Sequence, residues 1–158
     1  MVDRLAEIPR VVGLKWATPR TDAMEFETVC SRYSDRFTII DNNLLFNISW
    51  MMGARSIEVH IFNYWPEIAL KMLSDLRTGQ YEEVQKSMTS YVMPFYHLWS
   101  QIESEYTSGD GYLDKLCMEL VGLPSSACRP PTRDIRQKYR KETLAMLKSL
   151  KVPGLISE

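Results

Sequence analysis

Little in this chain is available for cross-linking or metal binding: 158 residues hold three cysteines and two histidines. The cysteines (Cys30, Cys117, Cys128) are odd in number and lack C-x-x-C spacing, which fits reduced thiols in a cytoplasm better than a disulfide framework. Histidines and carboxylates nowhere share metal-ligand spacing, so no metal is expected. No apolar run reaches the length of a membrane span, and residues 1–7 carry no signal-peptide core. The expectation is a cytoplasmic protein without a membrane partner. Charge of one sign is also missing. The formal net charge is -1, so nothing global attracts nucleic acid. There is no internal repeat and no low-complexity linker. The glycine-containing stretch Ser108-Gly109-Asp110-Gly111 does not follow a strand, so it is not a phosphate loop.

What is present is a globular profile. Apolar residues make up 45% and charged residues 25%, enough for one domain with a core. After a helical lead-in closed by Pro9, residues 11–16 form a strand pattern. Its alternation puts Val11, Gly13 and Lys15 on one face and Val12, Leu14 and Trp16 on the other. Pro19 to Asp22 reads as a turn and helix start with Thr21 as cap, and the helical stripe runs to Tyr33. Residues 36–41 are a second strand. Residues 44–52 are a short helix with Leu45, Ile48 and Met52 on its inner face, stopped by Gly53. Residues 55–62 are a third strand, with Ser56, Glu58 and His60 sharing a face. Strand, helix, strand, helix, strand is the pattern of βαβ units and a parallel sheet. From residue 63 on the pattern is helical. One long helix over 81–106 should kink at Pro94, the 107–111 loop and another helix follow, and a basic helix over 133–150 closes the chain. Three parallel strands do not close a sheet. The chain therefore reads as part of a larger α/β fold, or as one that borrows strands from a partner.

Lys15 is the first candidate. A strand-end lysine either snorkels to water or sits in a pocket, where burial favours the neutral, nucleophilic amine. Ligands of parallel sheets bind at the carboxyl ends of strands, and Asp41 and Glu58 fall on or near that end. A carboxylate neighbour opposes the nucleophile role by favouring the ammonium ion. His60 shares the Glu58 face and is either a satisfied structural histidine or an acid–base group. His97 sits among aromatics as core or interface. Arg136, Lys138, Arg140, Lys141, Lys148 and Lys151 give the last helix a solvated face by default, with nucleic-acid binding as the minor alternative.

At these residues the sequence resembles the C-terminal half of the dihydrodipicolinate synthase / N-acetylneuraminate lyase family, class I Schiff-base lyases and aldolases on a (β/α)8 barrel. Val11-Val12-Gly13-Leu14-Lys15 looks like the family's sixth strand, whose lysine forms an imine with pyruvate or another 2-oxo acid. Phe37-Thr38-Ile39-Ile40-Asp41-Asn42-Asn43 looks like the seventh. Gly53-Ala54-Arg55-Ser56-Ile57-Glu58-Val59, through Asn63 and Pro66, looks like the eighth. Met118-Glu119-Leu120-Val121-Gly122-Leu123-Pro124, with Arg129-Pro130-Pro131, looks like the helical tail. The resemblance implies residues 1–78 as a partial barrel and 79–158 as a helical extension of one structural unit, with the first half of the barrel missing. It implies Lys15 as the Schiff-base residue and a proton-shuttling tyrosine supplied from outside this chain. Asp41, Asn42, Ser56, Glu58 and His60 are the candidate substrate-binding positions, with Glu58 or His60 able to assist proton transfer, or Glu58 to pair with part of the substrate. It also implies no cofactor, a small 2-oxo acid as substrate and a homo-oligomer built through barrel and tail.

This chain departs from the family's usual residues. A glycine is usual where Asp41 stands, acidic residues where Asn42 and Asn43 stand, and a glycine and an aliphatic where Ser56 and Glu58 stand. These departures point to a 2-oxo acid other than the standard one, or to a sugar-acid derivative. The family's Gly-Thr-Thr-Gly-Glu-like loop and the tyrosine of its fifth strand have no counterpart here. An inactive structural or oligomerisation module of the same fold is the alternative.

Overall fold

The computed structural model describes residues 1–17, 23–105 and 112–156. The helix start at Thr21 and Asp22 and the loop over 107–111 lie outside the described residues. The chain divides into two compact units, one of Met1–Val59 with Met72–Gln85, the other of His60–Lys71 with Lys86–Glu158.

The first unit holds the sheet. Strands β1 (Gly13–Trp16), β2 (Thr38–Asp41) and β3 (Ser56–Ile57) are parallel and run in the order β1-β2-β3. Helix α1 (Val2–Ala6) leads in, α2 (Ala23–Tyr33) connects β1 to β2, and α3 (Phe46–Met51) connects β2 to β3. A helix between successive parallel strands is what their same-way direction demands. Register fixes which side chains meet. Lys15 lies beside Ile40, and Ile40 beside Ser56; in the next row Trp16, Asp41 and Ile57 are neighbours. One face of the sheet packs inward. Ile39 joins Phe26, Val29, Cys30, Tyr33, Phe37 and Ala54 in a buried cluster, with Leu14 and Trp16 against it. Lys15 and Thr38, on the other face, are exposed.

A residue that pattern reading passed over holds the lead-in. Arg36 donates to three main-chain carbonyls: Nε to Ala6 at 3.0 Å, Nη1 to Val11 at 2.9 Å and Nη2 to Ile8 at 2.8 Å. Its guanidinium also lies 4.6 Å from the Phe37 ring centre. A planar five-donor fork can serve three carbonyls at once.

The alternation expected from residue 11 holds only from Gly13. Val11 packs against the core, whereas Val12 is 70% exposed. The third strand is shorter than expected. It pairs at Ser56 and Ile57, and the Glu58 amide still donates to the Asp41 carbonyl at 3.0 Å. Beyond Asp41 β2 offers no further partner, and His60–Asn63 turns into a 3-10 helix. In α3 the inner face is Phe46 and Ser49, while Leu45 and Ile48 are exposed. The Ser49 hydroxyl reaches the buried Asp41 carboxylate at 2.6 Å. A buried carboxylate needs such donors, and this outweighs the apolar pull of Ile48. Gly53 ends α3 as expected, with φ +110° and a side chain's Cβ excluded by Ser34 at 2.8 Å.

The second unit is helical. It contains the His60–Asn63 turn, a π-helical turn over Met88–Val92, α6 (Met93–Glu105), α7 (Tyr112–Leu120) and α8 (Arg136–Ser149). Helix α4 (Pro66–Arg77) belongs partly to each unit, and α5 (Tyr81–Ser87) precedes the π turn. The single long helix expected over 81–106 is thus interrupted just before Pro94. In a regular helix the proline ring would press on the carbonyl four residues back, at Ser90, and a widened turn relieves that. Phe95, Leu98 and Ile102 of α6, Leu113, Leu116 and Leu120 of α7, and Tyr139, Leu144 and Leu147 of α8 are buried. Three basic residues of α8 are paired: Glu119 accepts from Arg136 and Arg140 at 3.2 and 2.6 Å, and Lys138 meets Glu105.

Candidate active site

The carboxyl ends of the three strands gather five of the six expected residues in the first unit. Lys15 is the third residue of β1, and its side chain is about half exposed, at 52%. Its Nζ lies 3.3 Å from Glu58 Oε2. The contact is a charge pair by distance; Oε2 is shielded from solvent, and no hydrogen bond satisfies it. Ser56 shares the Lys15 row across the sheet and is half-buried. The ladder places these groups. The β1 and β2 register sets Lys15, and the Glu58 amide on the Asp41 carbonyl sets Glu58.

Asp41 stands one row further and on the opposite face from Lys15. It is fully buried, and its oxygens accept from the Asn43 amide at 2.5 Å and the Ser49 hydroxyl at 2.6 Å. Burial holds its carboxyl above the usual carboxylate range, against the opposing pull of these hydrogen bonds,. Burial, with Asp41 adding to it, pushes the nearby Cys30 thiol up to about 11. The Asn42 amide and the Asn43 side-chain amide both donate to the Trp16 carbonyl, at 3.1 and 3.2 Å. The segment after β2 is therefore tied to the end of β1. Within it Leu44 takes φ +60°, a left-handed conformation that costs a non-glycine residue energy and gathers at ligand-binding loops.

His60 falls in the other unit. Its Nδ1 lies 2.7 Å from Asp114 Oδ2, and its ring stacks on Phe95 with centres 5.6 Å apart. Tyr96 and Trp99 complete an aromatic surround at 5.8 and 5.1 Å. Alternation put His60 beside Glu58, but the strand ends before it. The partner, Asp114, lies 54 residues on, and no local pattern announces it. Among the described residues no group of three or more His, Cys, Asp or Glu side chains is arranged to hold a metal ion. No helix among them is long and apolar enough to cross a membrane.

A lysine at the carboxyl end of a parallel strand is a site many folds can build, so comparison with known proteins decides the lineage. The profile of the dihydrodipicolinate synthetase family matches residues 1–150. The chain belongs to that family. It is 24% identical over 152 residues to a probable 5-dehydro-4-deoxyglucarate dehydratase of Bradyrhizobium diazoefficiens, covering 93% of this chain and 46% of that one. Among solved structures it is similar to dihydrodipicolinate synthase from Oceanobacillus iheyensis, with TM-score 0.74, 22% identity and coverage of 95% of this chain and 49% of the other. It is also similar to the Aquifex aeolicus enzyme, with TM-score 0.73, 14% identity and coverage of 99% and 52%. The chain spans about half the length of these relatives. As expected, the fold is α/β, with three parallel strands as part of a barrel and helices following.

Proposed function

We propose that this chain carries the imine-forming part of a class I lyase or aldolase acting on a 2-oxo acid. The observation that carries the proposal is Lys15, placed in a parallel ladder at the carboxyl ends of strands of this family's fold. The unprotonated Lys15 amine attacks the substrate ketone, a carbinolamine forms, and loss of water leaves a protonated imine. That cation draws electrons from the adjacent bond, so a carbon–carbon or carbon–oxygen bond beside it breaks or forms without a separate cofactor.

Ser56, Asn42 and Glu58 are the substrate-facing residues of this reading. Asp41 shapes the turn from beneath, and His60 holds its own unit to α7. The polar character of these positions, with a relative named as a sugar-acid dehydratase, favours a hydroxylated 2-oxo acid over pyruvate alone. Residues 1–78 form the partial barrel and 79–158 the helical extension in this proposal, within a cytoplasmic homo-oligomer.

The test is borohydride trapping. The protein is incubated with pyruvate, 2-oxobutyrate and hydroxylated 2-oxo acids, reduced, and mapped by peptide mass. Added mass on Lys15, absent in Lys15→Ala, is expected; an unmodified Lys15 across the panel removes the proposal. The half-length match to relatives supports the second reading, an inactive module of the same fold. A stable oligomer in size-exclusion chromatography with no imine would favour it.

A further inference from the structure

Imine formation moves protons at two points, and the sequence offers three ionisable side chains to carry them: Asp41 and Glu58 in the strand-bearing unit, and His60 in the other. Asp41 is fully buried, with its carboxylate engaged by Asn43 and Ser49. His60 is paired to Asp114 and enclosed by Phe95, Tyr96 and Trp99. Glu58 is different. Its Oε2 is shielded, satisfied by no hydrogen bond, and 3.3 Å from the Lys15 nitrogen. A shielded carboxylate oxygen left without a hydrogen bond is costly, and such exceptions call for an explanation such as catalysis. The buried Asp41 carboxylate has been given donors by Asn43 and Ser49; the shielded oxygen of Glu58 faces the reacting nitrogen instead.

We propose that Glu58 is the acid–base catalyst of imine formation at Lys15; the proposal rests on the lysine reading above. In the resting site Lys15 is an ammonium and Glu58 a carboxylate. Glu58 takes one proton from Lys15, leaving a neutral amine and a carboxylic acid. The amine nitrogen bonds to the ketone carbon, the carbonyl electron pair moves to oxygen, and a proton passes from nitrogen to that oxygen to give the carbinolamine. Glu58 then returns its proton to the hydroxyl. The nitrogen lone pair expels water and forms the C=N bond, which leaves a protonated imine and a carboxylate again. Protons balance over the cycle, and water is the only molecule released. The 3.3 Å spacing lets one side chain serve both steps with little movement.

The experiment is a quenched time course of pyruvate trapping by borohydride on the full chain, with Glu58→Gln compared with wild type between pH 5.5 and 9. Glu58→Gln, nearly isosteric, is expected to slow labelling of Lys15 by about 100-fold or more near pH 7. It should also move the optimum upward, toward the pH at which the amine loses its proton unaided. Acetate in the buffer should restore part of the rate in Glu58→Ala and leave wild type unchanged. If Glu58→Gln alters the circular dichroism spectrum, Glu58→Asp takes its place and should show an intermediate rate with the wild-type profile. Labelling of the Gln variant at the wild-type rate and pH profile overturns the role of Glu58 while the lysine reading stands. A slower rate with an unchanged profile and no acetate rescue also overturns it. No label on wild-type Lys15 overturns both.

Discussion

At the scale of single residues, two carboxylates one row apart along the strand ends have opposite assignments because their surroundings differ. Asp41 is structural. Its raised carboxyl pKa means the folded state binds its proton more tightly than the unfolded chain, whose aspartates titrate near about 3.9. The sign follows: the stability linked to Asp41 is full below about pH 4 and is lost as pH rises through the raised value,. Asp41→Asn removes this dependence. The asparagine oxygen can still accept from the Asn43 amide and its nitrogen can donate to Ser49 Oγ, whose hydroxyl has the Phe46 carbonyl at 3.2 Å as an alternative acceptor. Urea unfolding at pH 4.5 and pH 8 should show wild type losing stability toward pH 8 relative to Asp41→Asn. Asp41→Ala should lose about 1–3 kcal/mol at both pH values, because it leaves the Asn43 amide without its acceptor, while the Ser49 hydroxyl keeps the Phe46 carbonyl,. An identical pH difference in wild type and Asp41→Asn would contradict the burial argument.

At the scale of elements, the three strands, their parallel sense and the place of Lys15 were legible in the sequence, because β-branched runs between helical stripes leave few alternatives. What escaped had long-range causes. The inner face of α3 is set by Ser49 answering Asp41, a polar bond that apolar periodicity over six residues cannot reveal. β3 ends where β2 runs out of pairing positions, so the alternation at His60 misled. The Lys15 and Glu58 contact was half legible: both fell at the strand ends, but their distance depends on the ladder. Arg36 was invisible, since a guanidinium that serves three carbonyls looks like any surface arginine. It gives the clearest test at this scale. Arg36→Lys has one nitrogen for three acceptors and should lose about 2–3 kcal/mol in urea unfolding, with early loss of protection in α1. A change within about 0.5 kcal/mol would mean that water replaces the clasp.

At the scale of the whole molecule, the sheet has an open side. The Val12 and Trp16 carbonyls accept from Thr38 and Asn42 of the β2 segment, so the parallel ladder turns the peptide groups of Gly13 and Lys15 the other way. Among the described residues no strand lies there. Amide hydrogen exchange by NMR on the full chain should find the Gly13 and Lys15 amides exchanging about 100-fold faster than that of Ile40. Equal protection would mean that another chain covers this edge in solution, the arrangement an exposed strand invites.

The two units carry a consequence for heredity. The chain passes between them at residues 59–60, 71–72 and 85–86, so each is written in the gene as two separated stretches. A stop after residue 85 keeps the strand-bearing unit whole but carries residues 60–71 of the other unit with it. From an uninterrupted stretch of gene, a descendant protein can inherit the strand-bearing unit only together with the helical segment that interrupts it.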